Sequence, residues 1–370
     1  MTTAVAHIKL EALAHNLNIA KQAAPNSKVI AICKANGYGH GLVATAKALS
    51  AADCLGVARI EEALQLRATG ITQPIVLLEG IFSAQELIEA EQHQLIVCIH
   101  QQWQLDIIQQ DSSGCKLNVW LKVDTGMTRL GFAPIEIVDV LEQIANLPQI
   151  NQQVCIVSHF ACADEPNHPS INQQIESYQA CMQQALQVAD KLGIQLERSM
   201  ANSAASLTLP DCQHDFIRPG IMLYGVSPLA NMIGKQHNLL PVMQLTSKLI
   251  SIKAIEPRTS VGYGATWHSN KATHIGVVAI GYGDGYPRHA KNGTPVWING
   301  RVVPIVGRVS MDMITVDLGE NPQEKIGDTV ELWGDNLPIE HVAKHSSTIA
   351  YELLCQITAR VEKKYYSSSK

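Results

Sequence analysis

The chain has 370 residues, 46% hydrophobic and 16% charged, with a formal net charge of −5. That length suits two domains, and the balance is that of a folded globular protein rather than a disordered one. A modest acidic charge without a basic stripe, and only four Phe, exclude the footprint of a nucleic-acid binder. No apolar run is long enough to span a bilayer, and the first eleven residues lack the apolar core of a signal peptide. Nine scattered cysteines without a Cys-x-x-Cys pair argue against a disulfide framework or a structural zinc site, and a reducing cytoplasm is expected.

Short runs of Val, Ile, Leu and Ala recur at 29–33, 55–58, 75–78, 95–99, 117–123, 154–157, 199–201 and 216–217. They are near-continuous rather than alternating, as strands buried on both faces of a parallel sheet are. Helical stretches separate them, for example 60–68, 83–92 and 171–191, the last with Ile175, Tyr178, Met182 and Leu186 at helical spacing. Eight such strands predict an α/β fold with a (β/α)8 TIM-like barrel. The same periodicity would also suit an open doubly wound sheet. Beyond residue 238 the segments 244–255, 274–280, 295–306, 313–318 and 329–333 are β-rich, with Gly and Pro between them and few helix candidates. The expected organisation is a barrel over 1–237 and a mostly β domain over 238–370, with a polar tail, 363–370, expected to fray.

Barrel enzymes carry their chemistry at the C-terminal ends of the strands. Lys34 follows the first strand, Lys122 and Asp124 end the fifth, and His159 follows the sixth. Asn202 and Ser203 follow the seventh, and Arg218 the eighth. Any one of these alone reads equally well as a solvated strand end, but their recurrence at one end points to a site. An apolar run leading into Lys34 would desolvate its amine, as a nucleophilic lysine requires, although a surface lysine is the blander alternative. Gly37, Gly39 and Gly41 just beyond allow the backbone to turn sharply. Asp124-Thr125-Gly126 copies the aspartic-protease triplet but has no second copy to share a proton with. The glycines at 281, 283 and 285 lack the helix a dinucleotide motif needs, and no His-Glu-x-x-His metal spacing occurs.

The segment Ala31-Ile32-Cys33-Lys34-Ala35-Asn36-Gly37-Tyr38-Gly39-His40-Gly41 resembles the cofactor-lysine signature of the bacterial alanine racemases. Further segments are similar to motifs of that family in the same order along essentially the whole chain. They are the run from Lys122 to Phe132 with Arg129, Ser158-His159-Phe160-Ala161, Ala201-Asn202-Ser203, and the run from Ile217 to Gly225 with Arg218. Val261 to Trp267, Ile280 to Arg288 and Ser310-Met311-Asp312 complete the set. One such motif is moderately specific, and the ordered set is very specific.

The resemblance implies pyridoxal 5'-phosphate bound to Lys34 as a Schiff base, and racemisation of alanine. Inverting an α-carbon needs a base on each face, and the implied pair is Lys34 and Tyr263. His159 and Arg218 would help Tyr263 ionise, and Arg218 would also face the pyridine nitrogen, where a permanent cation keeps that nitrogen unprotonated. The implied cofactor ligands also include Tyr38, Asn202, Ser203, the backbone amides of Gly220 and Ile221, and Tyr351. Arg129 would hold the substrate carboxylate with the Met311 backbone assisting. Lys122, carbamylated in many members or otherwise salt-bridged, would orient Arg129, and Tyr282 would narrow the entrance. Tyr263, Tyr282, Met311 and Asp312 would act across a homodimer, in the partner's site. The rival readings are a racemase of serine or of a basic amino acid, a decarboxylase on the same scaffold, and a non-catalytic binder of the cofactor. The single-barrel relatives of that last kind lack a β domain.

Overall fold

Strands with aliphatic side chains on both faces are stable only where both faces are covered. In the computed structural model, which describes residues 4–112, 114 and 116–367, the eight runs close on one another. After a first strand, β1 (Val5–Lys9), come β2 (Lys28–Ile32), β3 (Cys54–Val57), β4 (Ile75–Leu77) and β5 (Ile96–Ile99). They continue as β6 (Leu117–Lys122), β7 (Ile150–Val157), β8 (Gln195–Asn202) and β9 (Phe216–Arg218). β2 to β9 form a closed parallel barrel, sealed where Lys28 and Val29 pair with Phe216 and Ile217. The barrel predicted from periodicity is therefore present, and the open sheet is not. β7 and β8 begin earlier than their apolar runs, because residues 151–153 and 195–198, though part of the strands, are mostly polar and partly or fully exposed.

The helix Ile60–Ala68 matches its predicted bounds, and Ser83 caps the helix Ala84–Gln92 by accepting from the Glu86 amide at 3.2 Å. The long helix Ser170–Leu192 is rotated from the face its apolar residues suggest. Its buried stripe runs through Ile171, Gln174, Tyr178, Cys181, Met182, Ala185 and Ala189. Leu186 points outward, 55% exposed.

The remaining strands are β10 (Met243–Ile255), β11 (Ser260–Val261), β12 (Trp267–His268), β13 (Thr273–Val278) and β14 (Pro295–Ile298). β15 (Arg301–Pro304), β16 (Ile314–Gly319), β17 (Thr329–Trp333) and β18 (Glu362–Tyr366) follow. The segment 295–306 is a hairpin, β14 and β15, turned at Asn299 and Gly300, both in the left-handed region with φ of 46° and 88°. That two-residue turn matches the right-handed twist of the flanking strands. Two short helices, Ile339–His345 and Ala350–Cys355, follow the last β segment expected from the sequence, within the stretch expected to hold few helices.

β1 lies in the sheet of the later strands, antiparallel to β10 and parallel to β18. The expectation that 363–370 frays is thus overturned for 363–366, which form part of β18 against β1; residues 368–370 lie outside the described residues. One hydrophobic cluster runs from barrel residues such as Ile30 and Leu55 to sheet residues such as Leu245, Val316 and Leu332. The Glu340 carboxylate ties the two parts further by accepting from the Ser227 and Gly234 amides. No helix among the described residues is long and apolar enough to cross a membrane. Every described cysteine is free.

Candidate active site

The turn that carries Lys34 is built against ordinary backbone preference. Ala35, Asn36, Gly37 and Tyr38 follow one another at φ of 53°, 56°, 60° and 49°. Each non-glycine residue there costs about 1 kcal/mol or more, and such strain persists only where the surroundings over-determine it. Here they do. The amides of Gly37, Gly39 and Gly41 donate to the carbonyls of Cys33, Ala35 and Asn36 at 2.9–3.0 Å, and Asn36 Oδ1 accepts from the Leu42 amide at 2.9 Å. A Cβ on Gly39 would lie 2.0 Å from the Leu354 carbonyl oxygen, so the turn also locks against the helix Ala350–Cys355. Lys34 stands partly exposed at the barrel mouth.

Tyr38, carried on that turn, is buried and stacks on Tyr224 with ring centroids 4.6 Å apart; Tyr351 lies 6.1 Å away. Burial raises the Tyr38 and Tyr351 phenols above their ordinary range, so both hydroxyls remain donors at neutral pH. The Tyr38 hydroxyl occupies the space beside Gly220, where a Cβ would come within 2.5 Å of it. The Gly220 amide donates to Ser203 Oγ at 2.7 Å, which leaves the Ser203 hydroxyl proton to point elsewhere. Asn202 Oδ1 is engaged as the N-cap of the helix Ser203–Thr208, accepting from the Ala205 amide at 3.1 Å. Ile221 opens the following 3-10 turn, Ile221–Tyr224.

Arg218 is fully ordered by neutral partners. Its guanidinium donates to Ser199 Oγ and the Ser158 carbonyl, both at 2.5 Å, and to the Met200 carbonyl at 3.3 Å. The nitrogen that serves the two carbonyls also lies 3.2 Å from His159 Nδ1, so one of its two hydrogens is shared. None of these bonds uses Nε, and Arg218 has no ion pair among the described residues. Because arginine is always a donor, His159 Nδ1 must accept, so the imidazole proton sits on Nε2. Burial first, and then Arg218, Lys122, Arg129 and Lys34, hold His159 well below its usual range, so the ring is neutral.

Lys122 ends β6 within the same basin. Burial pushes its amine down from 10.5 to about 8, and Arg218 and Arg129 push in the same direction. Lys122 forms no ion pair among the described residues, so the salt-bridge alternative finds no carboxylate. Asp124 is occupied otherwise. Its Oδ1 accepts from the amides of Gly126, Met127 and Thr128 at 2.9–3.0 Å and folds the turn that carries Arg129. Paired bonds between Asp124 and Phe132 and between Phe132 and Lys122 close that loop at its base. Lys122, Arg129, Ser158 and His159 line one small cleft. The mouth thus gathers Lys34, Lys122, Arg129 and Arg218, while its nearest acid is spent on backbone amides. Such a basin suits an anionic ligand.

Four of the residues singled out in the sequence lie elsewhere. Tyr263, on the turn Tyr263–Ala265 between β11 and β12, is 73% exposed. Tyr282 and Met311 lie side by side, since the Tyr282 amide donates to the Ser310 carbonyl and the Gly283 amide to the Met311 carbonyl. Asp312 accepts from Arg360 at 2.8 Å, and Arg360 also pairs with Asp284 at 3.3 Å. Among the described residues no hydrogen bond or ring contact joins these four to the barrel mouth. The sequence reading passed over Gln174, Thr125 and Ser199, which support the site from behind. The one signal for Gln174 was its place four residues before Tyr178 on a helical stripe.

Residues 8–228 match the model of the alanine racemase N-terminal domain, and residues 242–365 that of the alanine racemase C-terminal domain. The chain is similar to alanine racemase of Shewanella woodyi, with 49% identity over 96% of this chain and 97% of that protein. It is similar to alanine racemase of Vibrio cholerae, with 48% identity over 100% of this chain and 99% of that protein. Among solved structures, the biosynthetic alanine racemase from Pseudomonas aeruginosa superposes with a TM-score of 0.93 at 44% identity, covering 99% of this chain and 100% of that one. With its barrel, its β domain and both halves of the sequence matched over their length, the chain belongs to the alanine racemase family.

Proposed function

We propose that this protein is an alanine racemase that holds pyridoxal 5'-phosphate on Lys34, with Lys34 and Tyr263 as the two bases. The observation that carries the reading is the buried Arg218, free of any carboxylate and set against a neutral His159 in the mouth that holds Lys34. Pyridoxal phosphate, when bound, supplies the electron-withdrawing ring that makes an amino acid's α-proton removable.

The residues present fit that group. Ser203 has a hydroxyl proton to spare, Gly220 leaves room where a Cβ would collide, and the Tyr38 and Tyr351 phenols stay protonated; together they suit a phosphate. The unused Arg218 Nε–H suits a ring nitrogen, and a permanent cation there opposes protonation of that nitrogen, which restrains chemistry beyond proton transfer. Lys34 takes or returns the α-proton on one face. On the other face, His159 donates Nε2–H to the Tyr263 oxygen and so favours loss of the phenol proton, with Arg218 polarising the imidazole through Nδ1. Arg129 holds the substrate carboxylate. The lowered Lys122 amine has an appreciable neutral fraction near pH 8, the form that reacts with carbon dioxide, and the carbamate would give Arg129 an acidic partner.

The exposed Tyr263, Tyr282, Met311 and Asp312 are read as completing the site of a second copy in a homodimer. A cytoplasmic location fits the free described cysteines. A racemase panel of alanine, serine, lysine and arginine tests the substrate, and borohydride reduction with peptide mapping tests the lysine. Fastest turnover on alanine and label fixed on Lys34 are expected. Faster turnover on a basic amino acid, or a cofactor Schiff base retained by Lys34→Ala, would overturn the assignment.

A further inference from the structure

Behind the mouth, one polar side chain is buried in a helix stripe that is otherwise apolar. Gln174 is 1% exposed on the helix Ser170–Leu192, between Ile171 and Tyr178. Its Oε1 accepts from the Ala161 amide at 2.9 Å, and its Nε2 donates to the His159 carbonyl at 2.9 Å. A backbone amide only donates and a carbonyl only accepts, so the orientation of the Gln174 amide is fixed. Its second N–H reaches Thr125 Oγ1 at 3.4 Å, and Thr125 Oγ1 is 2.7 Å from Ser158 Oγ. Thr125 and Ser158 share one hydroxyl proton across that contact, which either oxygen can donate, so Gln174, Thr125 and Ser158 form one hydrogen-bonded chain. The stem of Gln174 also packs against Gly126, whose absent Cβ would lie 3.4 Å from Cγ.

Two loops with separate tasks therefore meet on one side chain. The first, Ser158 to Ala161, presents His159 to Arg218, and Gln174 holds it immediately on both sides of Phe160. The second begins at Thr125 and is the turn that ends in Arg129. We propose that Gln174 is a positioning residue which joins the His159 loop and the Arg129 turn into one rigid unit, fixing the proton-transfer group relative to the carboxylate anchor. The inference rests on the roles given to His159 and Arg129 above.

The chemistry excludes a purely space-filling role. A methionine would fill the same volume, yet it would leave the partly buried Ala161 N–H and His159 carbonyl without the side chain that holds them together. A glutamate would keep an acceptor for Ala161 but, ionised, would set a second oxygen against the His159 carbonyl.

The test uses the full-length holoenzyme with Gln174→Met, Gln174→Glu and, as a packing control on the same stripe, Met182→Leu. For Gln174→Met, kcat for alanine should fall by roughly 10- to 100-fold, the usual loss when a supporting hydrogen-bond partner of a catalytic group is removed. KM should rise as the Arg129 turn loosens. Hydrogen exchange read by mass spectrometry should increase in both 124–130 and 158–161, and in neither loop for Met182→Leu. Where Gln174→Met fails to fold, Gln174→Glu gives the decision. Its deficit, taken against wild type at each pH so that Lys34, Lys122, Arg129 and Arg218 around His159 enter both alike, should shrink as pH falls, because the protonated carboxyl regains a donor toward the His159 carbonyl. A deficit independent of pH, exchange unchanged in either loop, or wild-type kcat and KM in Gln174→Met would overturn the inference. A wild-type enzyme that does not racemise alanine would instead overturn the proposed function, and the exchange result would still report on Gln174.

Discussion

The barrel mouth and the surface bearing Tyr263 carry the residues of one proposed reaction, but they are finished to different degrees. At the mouth the framework is held within the chain: Arg218 by three oxygens and an imidazole nitrogen, Asp124 by three amides, and the Lys34 turn by its own backbone. On the β domain, Tyr263 at 73% exposure and Met311 at 53% lie open, and Asp312 is tethered to Arg360. A preorganised half and an open half in one chain fit the proposal that the site is shared between two copies.

The largest effect expected from this contrast is at the open half. Tyr263→Phe removes a proton-transfer group without disturbing a packed neighbour, so activity should fall by about 10²–10⁴-fold while the melting temperature stays close to wild type. In deuterated water, α-proton exchange should persist for one enantiomer of alanine, through Lys34, and be lost for the other. Equal exchange of both would break the two-base scheme. A smaller loss is expected at Arg129, whose turn is rigid but whose side chain is exposed. Arg129→Ala gives up charge-assisted bonds to the carboxylate, each about 1.5–3 kcal/mol, and kcat/KM should drop by roughly 10- to 100-fold per bond lost. An unchanged kcat/KM would move the carboxylate anchor elsewhere.

The mildest test concerns Lys122. Its amine in the folded chain titrates at about 8 against an ordinary 10.5, so between those values the unfolded chain binds more protons. Stability should therefore rise with pH across that window, by up to ~3 kcal/mol for a free amine, and the penalty is fully present below it. Denaturant melts at pH 7 to 10.5 read the slope directly. A flat profile would contradict a lowered Lys122 amine in the folded chain.

How much of this was legible beforehand depended on where each signal lies along the chain. Most barrel strands are apolar on both faces and announced themselves locally; β9 falls on its short run, whereas β7 and β8 start four residues before theirs, where the residues are mostly polar. β1 and β18 were not legible. Val5 pairs with Thr246 and with Glu362, and nothing near either end of the chain encodes so distant a match. The turn at Asn299 and Gly300 was written in two residues and passed over within a longer β segment. The site residues at strand ends were legible as a set, and the family motifs gave them roles. Gln174 was hidden by its residue type, since a glutamine among helical polar residues reads as solvated unless the buried face of the helix is known.

Subunit complementation tests the central claim most directly. Lys34→Ala and Tyr263→Phe chains are unfolded together, refolded as a mixture, and the mixed dimer is separated by distinct tags. Each parent dimer should be nearly inactive. The mixed dimer should recover about half of wild-type activity, because one of its two sites unites an intact Lys34 with an intact Tyr263 from the other chain. A mixed dimer as inactive as its parents would place both bases in the same chain and contradict the account.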